Sequence, residues 1–398
     1  MIQKFAQLGV LITTVIITGQ LASAATPAEL LKTIKAVQSE GKGNVAAQAA
    51  WRELVKSNVK TIPQILRAFD GASPLAVNWL QSAVETIASH AEKNGDSFPV
   101  AELKTFIKNR KQDPRARRLA FELLRQADSK AAEQLVPGLL LDPSADLRRE
   151  AVQRLIREAK KLAEQDKNAA IKTYRKALQG AVDDDQVKAI VAPLKKLGET
   201  VDLQQHFGFL TNWKIIGPFD NKDKKGFNIA YPPEKKLDLN ATYESNFQGK
   251  SMQVKWVPVA TKDSYGIIDI AKSLKNYKGS VMYATTTFVS PKKQTVQFRL
   301  GTPNSWKLWV NGKLLFAREE YHRGMVLDQY RVPAELKPGK NVILIKILQN
   351  EQTQPWAQRY RFQIRVCDGA GSAIHPANQS TSQLNQTEKY VPVNSTRN

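Results

Sequence analysis

A single cysteine, Cys367, stands in 398 residues. That excludes an internal disulfide framework and every cysteine-based metal ligand set. At the end of a short apolar run, its expected role is a small buried side chain rather than a nucleophile. Histidine is nearly as scarce: His90, His206, His322 and His375 lie far apart, none in an H-E-x-x-H spacing, so no metal site is expected. The chain also lacks a G-x-S-x-G elbow, a G-x-x-x-x-G-K-[ST] loop and a G-x-G-x-x-G turn. It therefore offers no nucleophile elbow, phosphate loop or dinucleotide fingerprint, and no cofactor is called for. Acidic residues are short as well, 37 against 59 lysines and arginines, for a net charge of +22. The excess is denser in residues 201–398, with 28 basic and 15 acidic side chains. Such a field favours polyanions, and it bears on association and solubility rather than on fold.

What is present begins with the N-terminus. MIQKFAQLGVLITTVIITGQLASA sets Lys4 ahead of an apolar run from Leu8 to Ile17 and closes on Ala22-Ser23-Ala24. This pattern predicts a secretory signal peptide over residues 1–24, cleaved after Ala24, and hence a periplasmic or extracellular protein. The run is interrupted by Thr13, Thr14, Thr18, Gly19 and Gln20 and is shorter than the roughly 20 residues a spanning helix needs, so no transmembrane anchor is expected after cleavage. An exported chain meets little nucleic acid. The expected anionic partner is therefore a polysaccharide or an envelope surface, not DNA or RNA.

From Pro27 to about Leu197 the apolar residues recur at three and four, as in Leu119, Leu123 and Leu124, which is helical spacing. Ser73-Pro74, Asp113-Pro114 and Asp142-Pro143 each place a capping side chain before a proline at a helix start. Arg117, Ala120 and Leu124 recur 31 residues later as Arg148, Ala151 and Leu155. DPRARRLAFELL and DPSADLRREAVQRL resemble the second helices of HEAT-type repeats over roughly residues 70–200. The resemblance implies a solenoid of stacked helix pairs across residues 25–200, offering surface to a protein partner. A plain helical bundle is the alternative.

Near His206 the period changes from 3.6 to 2. SVMYATTTFV, TVQFRL, KLWV, LLFA, NVILIKIL and RYRFQIRV are short, rich in β-branched and aromatic residues and bounded by turn residues, so they are expected as strands of a β-sandwich. Asn311-Gly312 predicts a two-residue hairpin turn with positive φ at both positions. Tryptophan-rich strand, VNGK turn and LKPGKNVILIKI, in that order, resemble the galactose-binding-like jelly-roll domains of bacterial glycoside hydrolases over about Gly279–Asp368, and NWKIIGPFDN and AYPPE resemble the lead-in of similar modules. The implied fold class is multidomain, a HEAT-like α-solenoid and then a galactose-binding-like β-sandwich at 205–372, with a disordered tail at 373–398.

Catalytic marks are few. Glu319-Glu320 is the one tempting carboxylate pair, yet adjacent residues on an extended chain point to opposite faces, whereas a glycosidase holds two carboxyls roughly 5–10 Å apart across one bond. Asp183-Asp184-Asp185 precedes a helix and is expected to cap it. Trp306 and Trp309 face opposite sides of one strand, so one belongs to the core and the other needs cover, from a loop or from a sugar. Arg318, Tyr321, His322 and Arg323 follow the hairpin, and Trp356 and Tyr360 flank the last strand. Together with Trp309 these form the candidate rim for a carbohydrate ligand; an inter-domain seam built from the same residues is the alternative. Arg359, Arg361 and Arg365 alternate with apolar residues, as on a solvated sheet face; a surface for an anionic partner is the alternative. The sequence reads as an exported, non-enzymatic protein that binds carbohydrate or docks within an envelope assembly. A cryptic polysaccharide hydrolase, an accessory subunit of one, and a purely structural envelope protein are the other readings.

Overall fold

Helices occupy the chain from Pro27 to Phe207 and antiparallel sheets follow from Asn212 to Cys367. The computed structural model describes residues 25–377; the expected signal peptide and residues 378–398 of the expected tail lie outside the described residues. Among the described residues no helix is long and apolar enough to cross a membrane. Two compact units divide at Ala132 and Glu133. The change from helix to strand thus falls where the change of period predicts it, while the division into units falls about 75 residues earlier.

In the first unit the helix Pro74–Asn94 is capped by Ser73, whose hydroxyl accepts from the Ala76 amide at 3.1 Å, and Pro114–Ala127 by Asp113, which accepts from the Arg115 amide at 2.8 Å. Arg117 is buried within Pro114–Ala127, and its guanidinium donates to the Ile107 carbonyl at 2.6 Å, near the end of the preceding helix Val100–Lys108. In the second unit Arg148 repeats this role, buried and donating to the Asp142 carbonyl at 2.6 Å. The recurrence seen in the sequence is therefore a recurring buried arginine aimed at a backbone carbonyl. Asp142 does not cap the helix as expected. The cap of Ala145–Leu162 is Ser144, and the Asp142 carboxylate instead accepts from the Ser144 amide at 2.9 Å. Likewise the Asp183 side chain makes no cap bond; it pairs with Arg149 at 2.9 Å.

Twelve strands follow among the described residues: β1 (Asn212–Asp220), β2 (Thr242–Phe247), β3 (Lys250–Lys255), β4 (Val257–Ala260), β5 (Ile268–Asp269), β6 (Ser280–Ser290), β7 (Gln294–Gly301), β8 (Ser305–Val310), β9 (Lys313–Arg318), β10 (Tyr330–Leu336), β11 (Gly339–Gln349) and β12 (Arg361–Cys367). They pair as a six-stranded sheet, β4-β1-β6-β11-β8-β9, a four-stranded sheet, β10-β7-β12-β5, and the hairpin β2-β3. The turn between β8 and β9 has φ of 50° at Asn311 and 85° at Gly312, as a two-residue hairpin requires. One apolar cluster is shared by the two larger sheets: Trp306, Leu308, Val310, Ile343, Ile345 and Ile347 from the first meet Val296, Phe298, Phe362 and Ile364 from the second.

The opposite face of the six-stranded sheet is also covered. Trp309 pairs across the ladder with Leu344. Both join a second cluster with Phe219, Phe227, Leu237, Val254 and Trp256 from the stretch between β1 and β4. Beneath this cover the fully buried Lys346 ammonium reaches the Ile229 carbonyl at 2.7 Å and Glu234 at 2.7 Å. Tyr283 also donates to Glu234. Burial pushes the Lys346 ammonium down to about 8, with Glu234 pulling it back up.

Candidate functional site

The loop joining β9 to β10 carries most of the expected rim residues, and it is anchored at both ends. Its backbone enters the left-handed region at His322 (φ 59°) and at Asp328 (φ 57°), a conformation uncommon for non-glycine residues that Asp and His adopt more readily than most. At the near end the Ser305 hydroxyl donates to the Glu320 carbonyl at 2.9 Å and the Arg323 amide donates to the Pro303 carbonyl at 3.1 Å. At the far end the Asp328 carboxylate is clamped by Arg299 at 2.7 Å and Arg365 at 2.6 Å, both guanidinium groups being buried.

Between these anchors lies an open cleft of about 260 Å³, lined by Pro303, His322, Arg323 and Gly324 on one stretch of chain and Pro355, Trp356 and Arg359 on another. Trp356 is 58% exposed. Its indole stands perpendicular to the His322 imidazole, with ring centroids 5.0 Å apart at 86°. His322 is itself oriented. The Asn350 Oδ1 accepts from the Gln352 amide at 3.2 Å, which fixes the direction of the Asn350 side chain, so His322 Nε2–H donates to that oxygen at 2.6 Å. Arg323 pairs with Glu320 at 2.8 Å, and Arg318 binds the same carboxylate. Hydrogen bonds from Arg318 and then Arg323 hold Glu320 at about 2, far below the usual carboxylate range. Glu320 is thus committed to tying the loop, and no carboxylate lines the cleft. Wider clefts exist, one of about 400 Å³ beside Arg67, Glu102 and Phe106 and one of about 580 Å³ along Lys172, Arg175 and Lys176, but neither presents an exposed aromatic ring beside guanidinium groups.

The structure therefore brings together His322, Arg323 and Trp356, and adds Arg359. It does not bring in the rest. Trp309 is buried on the outer face of the sheet under the β1–β4 segment, because the residue opposite the core needs cover and the chain supplies it. Tyr360 is fully buried, its hydroxyl donating to the Ile347 carbonyl at 2.9 Å. Tyr321 turns towards that cover, its hydroxyl accepting from the Asn221 amide group at 3.2 Å, and Arg318 is outside the cleft. Tyr360 continues the inward-facing alternation of Phe362, Ile364 and Val366 into the core between the sheets, whereas Trp309 would have been placed correctly only had the outer face of the first sheet been taken as covered.

The arginine stripe on β12 is corrected too. Arg365 is not solvated: its guanidinium lies 5.2 Å from the Phe207 ring and donates to the Gly371 carbonyl at 3.0 Å, besides clamping Asp328. This second sheet faces the helices of the same unit. Phe207, Phe209, Val187 and Ile190 form one cluster, with half-buried Tyr265 and Leu327 packed on it, and Tyr265 donates to Asp184 at 2.7 Å. A seam therefore exists within the second unit, built on residues other than the candidate rim. The roles of Asn350 and Pro303 are not legible in the sequence, because they depend on loops that meet only in three dimensions.

No family model matches this chain, and no curated protein matches it. Solved structures similar in part include an anti-sigma factor domain-containing protein (14% identity, 46% of this chain and 51% of that one, TM-score 0.22). Others are the PA14 domain of the MpAFP antifreeze protein (8% identity, 44% of this chain and 95% of that one, TM-score 0.21) and the GH31 alpha-xylosidase from Xanthomonas citri (15% identity, 30% of this chain and 15% of that one, TM-score 0.17). This chain spans about half the length of the first of these. At such scores the similarities carry no argument about fold or activity.

Proposed function

We propose that this protein is an exported, non-enzymatic binding protein whose β part, a galactose-binding-like sandwich of jelly-roll type, holds a saccharide at the His322–Trp356 cleft, while its HEAT-like helices offer surface to a protein partner. The observation that carries this reading is Trp356: a large indole left 58% exposed, oriented by a histidine that is itself hydrogen-bonded, and placed beside Arg323 and Arg359. An exposed apolar ring next to planar donors suits a pyranose, whose faces are apolar and whose rim is a ring of hydroxyls. A cleft with no carboxylate in its lining suits docking on a polymer better than cleavage of a glycosidic bond. Export rests on the N-terminal pattern of Lys4, the apolar run and Ala22-Ser23-Ala24.

The test is incubation of the full chain with a panel of neutral and acidic polysaccharides, scoring both retention and new reducing ends. Retention without new ends is expected. New reducing ends would replace this reading with a hydrolase, and absence of retention on every polymer would remove the saccharide.

A further inference from the structure

The chemistry of the cleft narrows its ligand further, on the footing that the cleft binds saccharide at all. Two of its seven lining residues are arginines and none is acidic. Arg323 has Glu320 at 2.8 Å, but that carboxylate also serves Arg318, so two guanidinium groups share one negative charge. Arg359 has no ion-pair partner among the described residues. Its backbone is fixed, since its carbonyl accepts from the Asn304 amide group at 3.1 Å and from Gln349 at 3.3 Å. A guanidinium based on a fixed backbone, beside an exposed indole and without a carboxylate of its own, is a fork of donors awaiting a planar acceptor. Carboxylate matches that fork with two parallel hydrogen bonds, which a hydroxyl cannot do and an ammonium group does not select for.

We propose that the cleft recognises a uronic-acid saccharide, the sugar ring lying on Trp356 and the ring carboxylate engaging Arg359. The excess of basic over acidic side chains in residues 201–398 draws such a ligand in from a distance. That diffuse attraction is screened beyond about 8 Å at physiological salt. The paired contact at Arg359 is short-range and survives it. A neutral sugar would gain the ring contact and single hydrogen bonds to its hydroxyls, without the paired contact.

The experiment compares trigalacturonate with its methyl ester, and trimannuronate with its methyl ester, by Trp fluorescence titration of the full chain in 0.15 M salt. Short oligosaccharides limit the polyelectrolyte contribution that long chains bring. The expected result is that at least one free acid binds at least tenfold more tightly than its ester. Arg359→Lys, which keeps the charge but removes the fork, should erase that difference by weakening acid binding far more than ester binding; Trp356→Ala should weaken acid and ester alike. The acid–ester ratio of the parent protein needs no variant and stands even if one fails to fold. Equal binding of acid and ester keeps the saccharide cleft and overturns the carboxylate assignment. An acid preference that Arg359→Lys leaves intact, or that disappears between 0.01 M and 0.15 M salt, also overturns it, in favour of general charge attraction. Failure of all four probes, together with failure of every neutral polymer in the wider panel, overturns the saccharide reading itself.

Discussion

Trp356 and Trp309 sit on opposite sides of a boundary that their chemistry does not reveal: the first is 58% exposed beside His322, the second 9% exposed beneath the β1–β4 segment. Truncation should therefore affect them in opposite ways. Trp356→Ala should leave the melting temperature almost unchanged and remove on the order of 2 kcal/mol of saccharide binding, the size usual for an anchoring aromatic. Trp309→Ala should cost about 3–5 kcal/mol of stability through lost burial and a cavity. Denaturant melts and binding curves on the two variants check both halves, and a large melting loss for Trp356→Ala would place that residue in a packed contact instead.

Asp328 is the shared counter-ion of two buried arginines, Arg299 and Arg365. Burial pushes its carboxyl up, but the hydrogen bonds and charge of Arg365, and then those of Arg299, outweigh it and hold the group below the ordinary aspartate range. Asp328→Asn would leave two guanidinium groups without a negative partner, and removing one partner of a buried pair costs about 3–5 kcal/mol. Arg299→Ala in the same background should recover part of the loss, because one of the stranded charges is then gone. A double variant no more stable than Asp328→Asn would show that the cluster does not act as a unit.

Lys346 gives stability a pH dependence of predictable sign. Its folded value of about 8 lies below the ordinary 10.5. Between those values the unfolded chain therefore holds more protons than the folded one, and stability rises with pH. The gain is roughly 3 kcal/mol at 1.36 kcal/mol per unit. Tyr283, raised chiefly by burial, acts in the opposite sense above about pH 10, where unfolded tyrosine ionises and the folded one does not. The expected profile climbs from pH 8 towards 10 and then turns down. In Lys346→Met the climb should vanish; an unchanged slope in that variant would assign the effect elsewhere.

The helices from Ala145 to Phe207 pack on the four-stranded sheet through Phe207, Phe209 and Tyr265. A fragment starting at Glu133 should thus be soluble and melt cooperatively. One starting at Asn212 would uncover Arg365 and lose the Phe207 carbonyl that accepts from it at 3.3 Å. It should be markedly less stable or fail to fold. Comparing the two by circular dichroism melts decides the matter, and equal stability would mean that the sheets need none of these helices.

Much of this fold is legible in the sequence. The helical half, the hairpin at Asn311-Gly312 and six of the strands follow from period and turn chemistry alone. β10 is harder to see because Pro333 interrupts it. The structure places it at a sheet edge, where a missing amide is tolerated. Alternation correctly puts Trp306 and Trp309 on opposite faces, yet it cannot say what lies over the second. The cover comes from residues a hundred positions or less upstream, with turns and short strands of little periodicity of their own. Arg365 misleads for a related reason: a charged residue on the outward side of a strand looks solvated until a partner such as Asp328, 37 residues away, is found beside it. Of the candidate site, His322, Arg323 and Trp356 were visible as a residue type in a loop, whereas their convergence depends on two loops separated by the whole of β10 and β11.

The loop between β9 and β10 divides its labour along its length. Ser305 and Asp328 fix its ends through groups that face inward, while the side chains of Arg323 and, from the neighbouring loop, Trp356 line the cleft and contact only Glu320 and His322 of the same rim. Substitution at the outward positions is therefore free to drift without endangering the fold. A lineage carrying this chain can change what the cleft recognises one exposed residue at a time, and the record of such changes should read as variable arginine and tryptophan positions between unvarying serine and aspartate posts.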